Sequence, residues 1–173
     1  VITPKLQNIL AEMGVAIGRR INPRADFKGV YKHKLIQPEI ALKRWFSNKT
    51  LAHEIGHAID YNLGLQKSGF VKRHRAELLE LNEERINALA SAGKKSYAKS
   101  DAELVAELFG FLFNDPKMTA EIAPKATAEV LGLLSKNDTL KQLLPENFDW
   151  ENAKHILEEK TVQMFKMPVK VHP

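Results

Sequence analysis

The chain contains no cysteine. Disulfides, thiolate metal sites and cysteine nucleophiles are therefore excluded together, and any metal must be held by His, Asp and Glu. No stretch reaches the roughly 18 apolar residues of a membrane span, and no signal-peptide pattern opens the chain. Aromatic residues make up only 8% and are not interleaved with the basic ones, so the stacking platform of a nucleic-acid binder is missing. No internal repeat or low-complexity linker divides the sequence.

What remains is 173 residues with a net charge of +5, enough for one domain with a real core. One domain is expected over 1–166, with an extended or disordered tail over 167–173. The first residue is Val. The expectation is a soluble mature product, such as a secreted effector, or a domain excised from a longer cytoplasmic polyprotein. The basic residues Arg19, Arg20, Lys32, Lys34, Lys72, Arg73, Arg75, Lys94 and Lys95 are scattered. They read as a solvated surface rather than a nucleic-acid face, with an acidic substrate or partner left open.

Thr3-Pro4 is a helix start, followed by Leu6, Ile9, Leu10 and Met13 at helical spacing and closed by Gly14. Val15 to Arg19 fits a short strand, and Asn22 to Asp26 a loop. Two further short strands are expected within Gly29 to Leu42. Pro38, ahead of Glu39-Ile40-Ala41-Leu42, confines the start of the second to a sheet edge or to the strand's first residue. A sheet edge directly ahead of the next helix would suit an extended peptide added as a strand. That helix is capped by Ser47 or Asn48 and stops at Gly64. A charged helical pattern covers Val71 to Ala92, and Lys94 to Ser100 is a short connection. Ser100-Asp101-Ala102-Glu103 has capping-box spacing and opens a helix to Phe113. Helical segments follow at Pro116 to Ala123, Pro124 to Ser135, Asp138 to Leu144 and Trp150 to Met164.

The helix after Ser47 carries His53-Glu54-Ile55-Gly56-His57-Ala58-Ile59-Asp60, an H-E-x-x-H pattern. Residues four apart stand on the same helix face, so His53 and His57 can offer two imidazole nitrogens to one ion. Glu54 lies about 100° further round. It is placed beside the metal as a base, not on it as a ligand. Leu51, Ala52, Ile55, Ala58 and Ile59 make this helix mostly buried, and buried histidines need partners that offset their desolvation. A bound zinc ion supplies one, and the competing reading is a chance match or a satisfied core histidine. Asp60, three residues beyond His57, either buttresses a histidine or carries surface charge.

A catalytic zinc site has three protein ligands and an open position. A metzincin would place Gly and His at the positions held here by Asp60 and Leu63, so that arrangement fails. Glu103 and Glu107 stand four apart on one face of an otherwise apolar helix. One can be the third ligand and the other an outer acceptor that orients a zinc histidine. The bland alternative is a charged stripe.

With Tyr97 six residues ahead of Glu103, the chain resembles the lethal-factor-like zinc metallopeptidases, a group found in toxins and mobile-element polyproteins. The resemblance rests on His53, Glu54, Gly56, His57, Ala58, Asp60, Tyr97, Glu103 and Glu107, and covers about Thr50 to Pro124. It implies that His53, His57 and Glu103 hold one zinc ion and that Glu54 is the base. It also implies that Tyr97 stabilises the oxyanion and that Glu107 lies in the outer shell.

The combined expectation is an α+β, zincin-like fold with a small mixed sheet, an active-site helix and a mostly helical C-terminal half. Its function would be hydrolysis of a peptide bond in an extended protein segment, through zinc-bound water and Glu54. A non-catalytic zinc-stabilised scaffold and a basic nucleic-acid-associated module are the rival readings. His74, between Arg73 and Arg75, is expected to be exposed, and His33 to be solvated or to line the cleft. His155 and His172 carry no assigned role. Phe109, Phe111 and Phe113 are expected in the core.

Overall fold

A computed structural model describes residues 3–18, 29–33, 37–43 and 46–144. The expected loop at Asn22 to Asp26, the helix from Trp150 to Met164, the tail, His155 and His172 lie outside these residues. The described chain is α+β and mostly helical, with a three-stranded mixed sheet near its start.

Helix α1 (Pro4–Glu12) forms where the sequence predicts it. Thr3 Oγ1 accepts from the Leu6 N–H at 3.2 Å, and Pro4 occupies the first turn, where its missing N–H costs nothing. Leu6, Ile9 and Leu10 are buried, and Gly14 leaves the helix at φ +77°. Strand β1 (Ala16–Ile17) runs parallel to β3 (Glu39–Leu42), while β2 (Gly29–Lys32) is antiparallel to it.

The strand order is β1-β3-β2, so the strand ahead of the next helix is the central one. This corrects the edge expected there. Pro38 lies one residue outside β3, so its missing N–H removes no ladder bond, while its carbonyl accepts from Ala16 N at 2.9 Å. Ile40, Ala41 and Leu42 bury themselves as an interior strand does. The outer strand on the far side is β2.

Helix α2 (Asn48–Leu63) is capped by Ser47, whose Oγ accepts from Thr50 N at 3.0 Å. It ends at Gly64, which is left-handed at φ +64° and donates its N–H to Asp60 O at 2.8 Å. Leu51, Ala52, Ile55, Ala58 and Ile59 are fully buried, as their spacing requires.

The single helix expected from Val71 to Ala92 is two. Helix α3 (Phe70–Leu81) stops at Asn82, and α4 (Glu83–Ser91) begins there. Asn82 is buried, with φ −97° and ψ 7°, and its Nδ2 donates to Leu78 O at 2.7 Å. An asparagine side chain offers the backbone this alternative to continuing a helix. Glu83 and Glu84 then favour a new N-terminus.

The connection from Lys94 contains a short helix, α5 (Lys95–Ala98), ahead of α6 (Asp101–Asn114). Leu104, Val105, Ala106, Leu108, Phe109 and Leu112 are all inaccessible, so α6 is the central helix and packs along α2. Phe113 is also buried, and Phe111 is half-buried. Pro116 and Pro124 open α7 (Pro116–Ile122) and α8 (Pro124–Ser135). The Glu77 carboxylate in α3 accepts from Ala126 N at 2.8 Å and Lys125 N at 3.3 Å, satisfying free donors of α8. The last described turn, Leu140–Leu143, is 3-10 rather than α-helical.

His74 departs from expectation as well. Its side chain is only 10% exposed, lies 3.3 Å from Glu129 of α8, and packs on the Phe70 ring. Basic sequence neighbours carry no information about which face of a helix a residue occupies.

Candidate metal centre

The centre lies where α2 packs on α6, and Gly56 permits a close approach of the two helices. A Cβ there would stand 2.8 Å from Phe109 Cβ and 3.0 Å from the Ala106 carbonyl oxygen. With hydrogen at that position the backbones touch, and the first turns of α6 reach the histidine face of α2.

Glu103 Oε2 lies 2.8 Å from His57 Nε2, and Glu103 Oε1 lies 3.4 Å from His53 Nε2. One donor atom from each of His53, His57 and Glu103 falls within 4.8 Å of the others. Two imidazole nitrogens and a carboxylate oxygen, with no thiolate, form a donor set that can hold a metal ion. The imidazoles are 13% and 18% exposed, so the group is recessed but reachable. The capping box that the Ser100-to-Glu103 spacing allows does not form: Ser100 makes no side-chain cap bond, and Glu103 turns to the histidines.

Glu54 is buried and stands 4.0 Å from His53 Nε2 and 3.9 Å from His57 Nε2. Burial pushes its carboxyl above the ordinary range, the two histidines oppose that rise, and Glu103 and Glu107 add to it. Glu107 is also buried, with Oε1 3.4 Å from His53 Nδ1. That contact is long for a hydrogen bond, and Nδ1 makes no bond within normal limits.

Burial alone would lower the His53 imidazole, but the Glu103 and Glu107 carboxylates outweigh it and hold it up at about 9. Burial raises Glu103, but the two histidines prevail and hold its carboxyl far below the ordinary range. Asp60 is buried, and its carboxylate accepts from both the backbone and side-chain nitrogens of Gln66. It therefore closes the turn after α2, and His57 acts on it through charge.

Sequence reasoning missed Arg85 of α4. Its Nη2 donates to Glu103 Oε1 at 2.8 Å, and its Nε lies 2.8 Å from Glu107 Oε1. Lys49 of α2 adds a second, more exposed cation 3.7 Å from Glu107 Oε2, with its ammonium over the Phe111 ring. Buried carboxylates require cations, so the need was readable from Glu103 and Glu107. Which cation answers was not, because Arg85 sits in an ordinary Glu83-Glu84-Arg85 charge run.

A cavity of about 310 Å³ opens over the centre, lined by Gly29, Val30, Tyr31, His33, Glu54, His57 and Tyr97. Its β wall is β2, an outer strand of the described sheet. Gly29 sits tight against α2: a Cβ there would meet the Thr50 methyl at 3.0 Å and Glu54 Cγ at 3.1 Å. His33 is exposed and lies between the Tyr31 and Tyr61 rings, with centroids 6.1 and 5.4 Å away. Tyr97 is 54% exposed at the cavity, and burial of its inner part together with Glu103 pushes its hydroxyl up to about 12.

The fold and centre thus define an α+β protein with a recessed two-histidine, one-carboxylate group beneath a cavity. Compared with family models, curated proteins and solved structures, the chain matches none of them. Among the described residues, no helix is long and apolar enough to cross a membrane.

Proposed function

We propose that the chain is a zinc-dependent endopeptidase of the lethal-factor-like, zincin type, acting on an extended protein or peptide segment. The observation that carries this reading is Glu54. Its buried carboxylate is 4.0 and 3.9 Å from the two Nε2 atoms and also lines the cavity. A site that only stabilises a fold has no use for a carboxylate that flanks the ligands and lines the cavity above them.

His53, His57 and Glu103 would hold the ion. Zinc bound by such a set acts as a Lewis acid and supplies a nucleophilic water at neutral pH. The chain's own groups do the rest. Glu54, held above the ordinary carboxylate range, accepts a proton from the attacking water and returns it to the leaving amine. Tyr97, protonated at neutral pH, donates its hydroxyl to the substrate carbonyl oxygen as charge develops there. Within the described sheet, the outer strand β2 offers an edge along which an extended substrate can lie.

The test is an unbiased peptide-library digestion with added zinc, run beside Glu54→Gln. Cleavage by the wild type and none by the variant is expected, with equal zinc content in both. A Glu54→Gln protein that cleaves as fast as the wild type would remove Glu54 as the base.

A further inference from the structure

The geometry points to Arg85 as the positioning residue of the metal centre: it occupies Oε1 of Glu103, leaving Oε2 to the metal, and ties Glu107 to the same anchor beside His53. This rests on the metal-binding reading of His53, His57 and Glu103.

Three features of the surroundings carry the inference. First, one edge of the planar guanidinium, Nε and Nη2, reaches two different carboxylates, each at 2.8 Å. These two carboxylates govern the two histidines, since Glu103 Oε2 faces His57 and Glu107 Oε1 faces His53 Nδ1. A planar fork fixes both acceptors relative to each other, which a point charge cannot do.

Second, Arg85 is itself held. Its side chain is only 23% exposed, and its Cζ lies 5.8 Å from the centre of the Tyr97 ring. Its Nη1 is buried without a hydrogen-bond partner, a cost that a merely compensating surface cation would not incur. Third, the break at Asn82 starts the helix that carries Arg85, so α4 joins α2 and α6 as a third support of the centre.

Lys49 provides the contrast. It bears the same charge beside the same Glu107, but at 3.7 Å, with its side chain about half exposed and one carboxylate in reach. If Arg85 served only to balance charge, the two cations would differ only in degree.

The experiment measures zinc affinity by competition with a chromophoric chelator, and the visible spectrum of the cobalt-substituted protein, for wild type, Arg85→Lys, Lys49→Gln and His57→Ala. Arg85→Lys keeps the charge and loses the fork. It should weaken zinc binding about 10- to 100-fold, as outer-shell changes do, and alter the cobalt spectrum. Lys49→Gln should stay within about threefold of wild type, because an exposed pair is screened.

Should the near-ultraviolet dichroism show Arg85→Lys to be unfolded, Arg85→Gln replaces it with the same expected loss. An Arg85 variant with wild-type affinity and cobalt spectrum overturns the positioning role while leaving the centre intact. So does a Lys49→Gln loss equal to that of Arg85→Lys, which would make charge alone sufficient. A His57→Ala protein that binds zinc like the wild type would instead remove the centre itself, and the role of Arg85 with it.

Discussion

Gly56 and Ala106 meet backbone to backbone, so closely that a Cβ on Gly56 would stand 3.0 Å from the Ala106 carbonyl oxygen and 3.1 Å from its Cα. The glycine inside the histidine motif is therefore a packing requirement of two helices. It sets how near Glu103 comes to His57.

Gly56→Ala should cost about 1–3 kcal/mol of stability by overpacking, even though alanine is the better helix former. Separation of α2 from α6 should also weaken metal binding. Urea unfolding of the metal-free protein and a zinc competition titration check both effects. A variant as stable as the wild type would mean that α6 can shift without loss.

The two glutamates of α6 should behave differently. Glu103 faces both histidine Nε2 atoms, whereas Glu107 faces the opposite ring nitrogen of His53. Glu103→Gln should lose most zinc affinity, and Glu107→Gln only about 10- to 100-fold. Titration giving the reverse order would exchange their roles.

Tyr97 lies at the cavity and outside the three-residue donor group. Tyr97→Phe should lower kcat about 100-fold while zinc content stays at one per chain. Steady-state kinetics paired with metal analysis measures the two separately. Unchanged kcat would remove the hydroxyl from the reaction.

The metal-free protein should show a distinctive pH dependence. The His53 imidazole is raised from 6.5 to about 9 in the fold, burial opposing and the carboxylates prevailing. A raised folded value means that its contribution is fully present below 6.5 and is lost as pH rises through 9. A metal ion needs the neutral ring, so binding near pH 7 should release a proton. The gap in Tm between zinc-loaded and metal-free protein should therefore widen from pH 6.5 to 9, and the binding heat should depend on buffer ionisation. A constant gap across that window would mean that His53 is already neutral.

Local features of the chain were legible without the fold. The placing of His53 and His57 on one helix face follows from the 3.6-residue period, and the start at Ser47 and the stop at Gly64 follow from capping chemistry. The same holds for α1 with Thr3 and Pro4, and for the helix starts at Pro116 and Pro124. The resemblance singled out Glu103 and Tyr97, and spacing put Glu103 and Glu107 on one face.

Other features depended on contacts between segments distant in sequence. Capping-box spacing offered Glu103 a local partner, yet desolvation beside two histidines gave it a stronger one. The two residues ahead of Arg85 are exposed acids, while its partners in space come from a helix that starts 16 residues later. His74 reads as exposed from its flanking arginines but is covered by α8. Pro38 allowed either an edge strand or a place at the strand's first residue, whereas it lies one residue outside a central strand. Short-range propensity sets where an element begins and which residues share its face. Only packing decides which faces meet, and so which buried charge must find which partner.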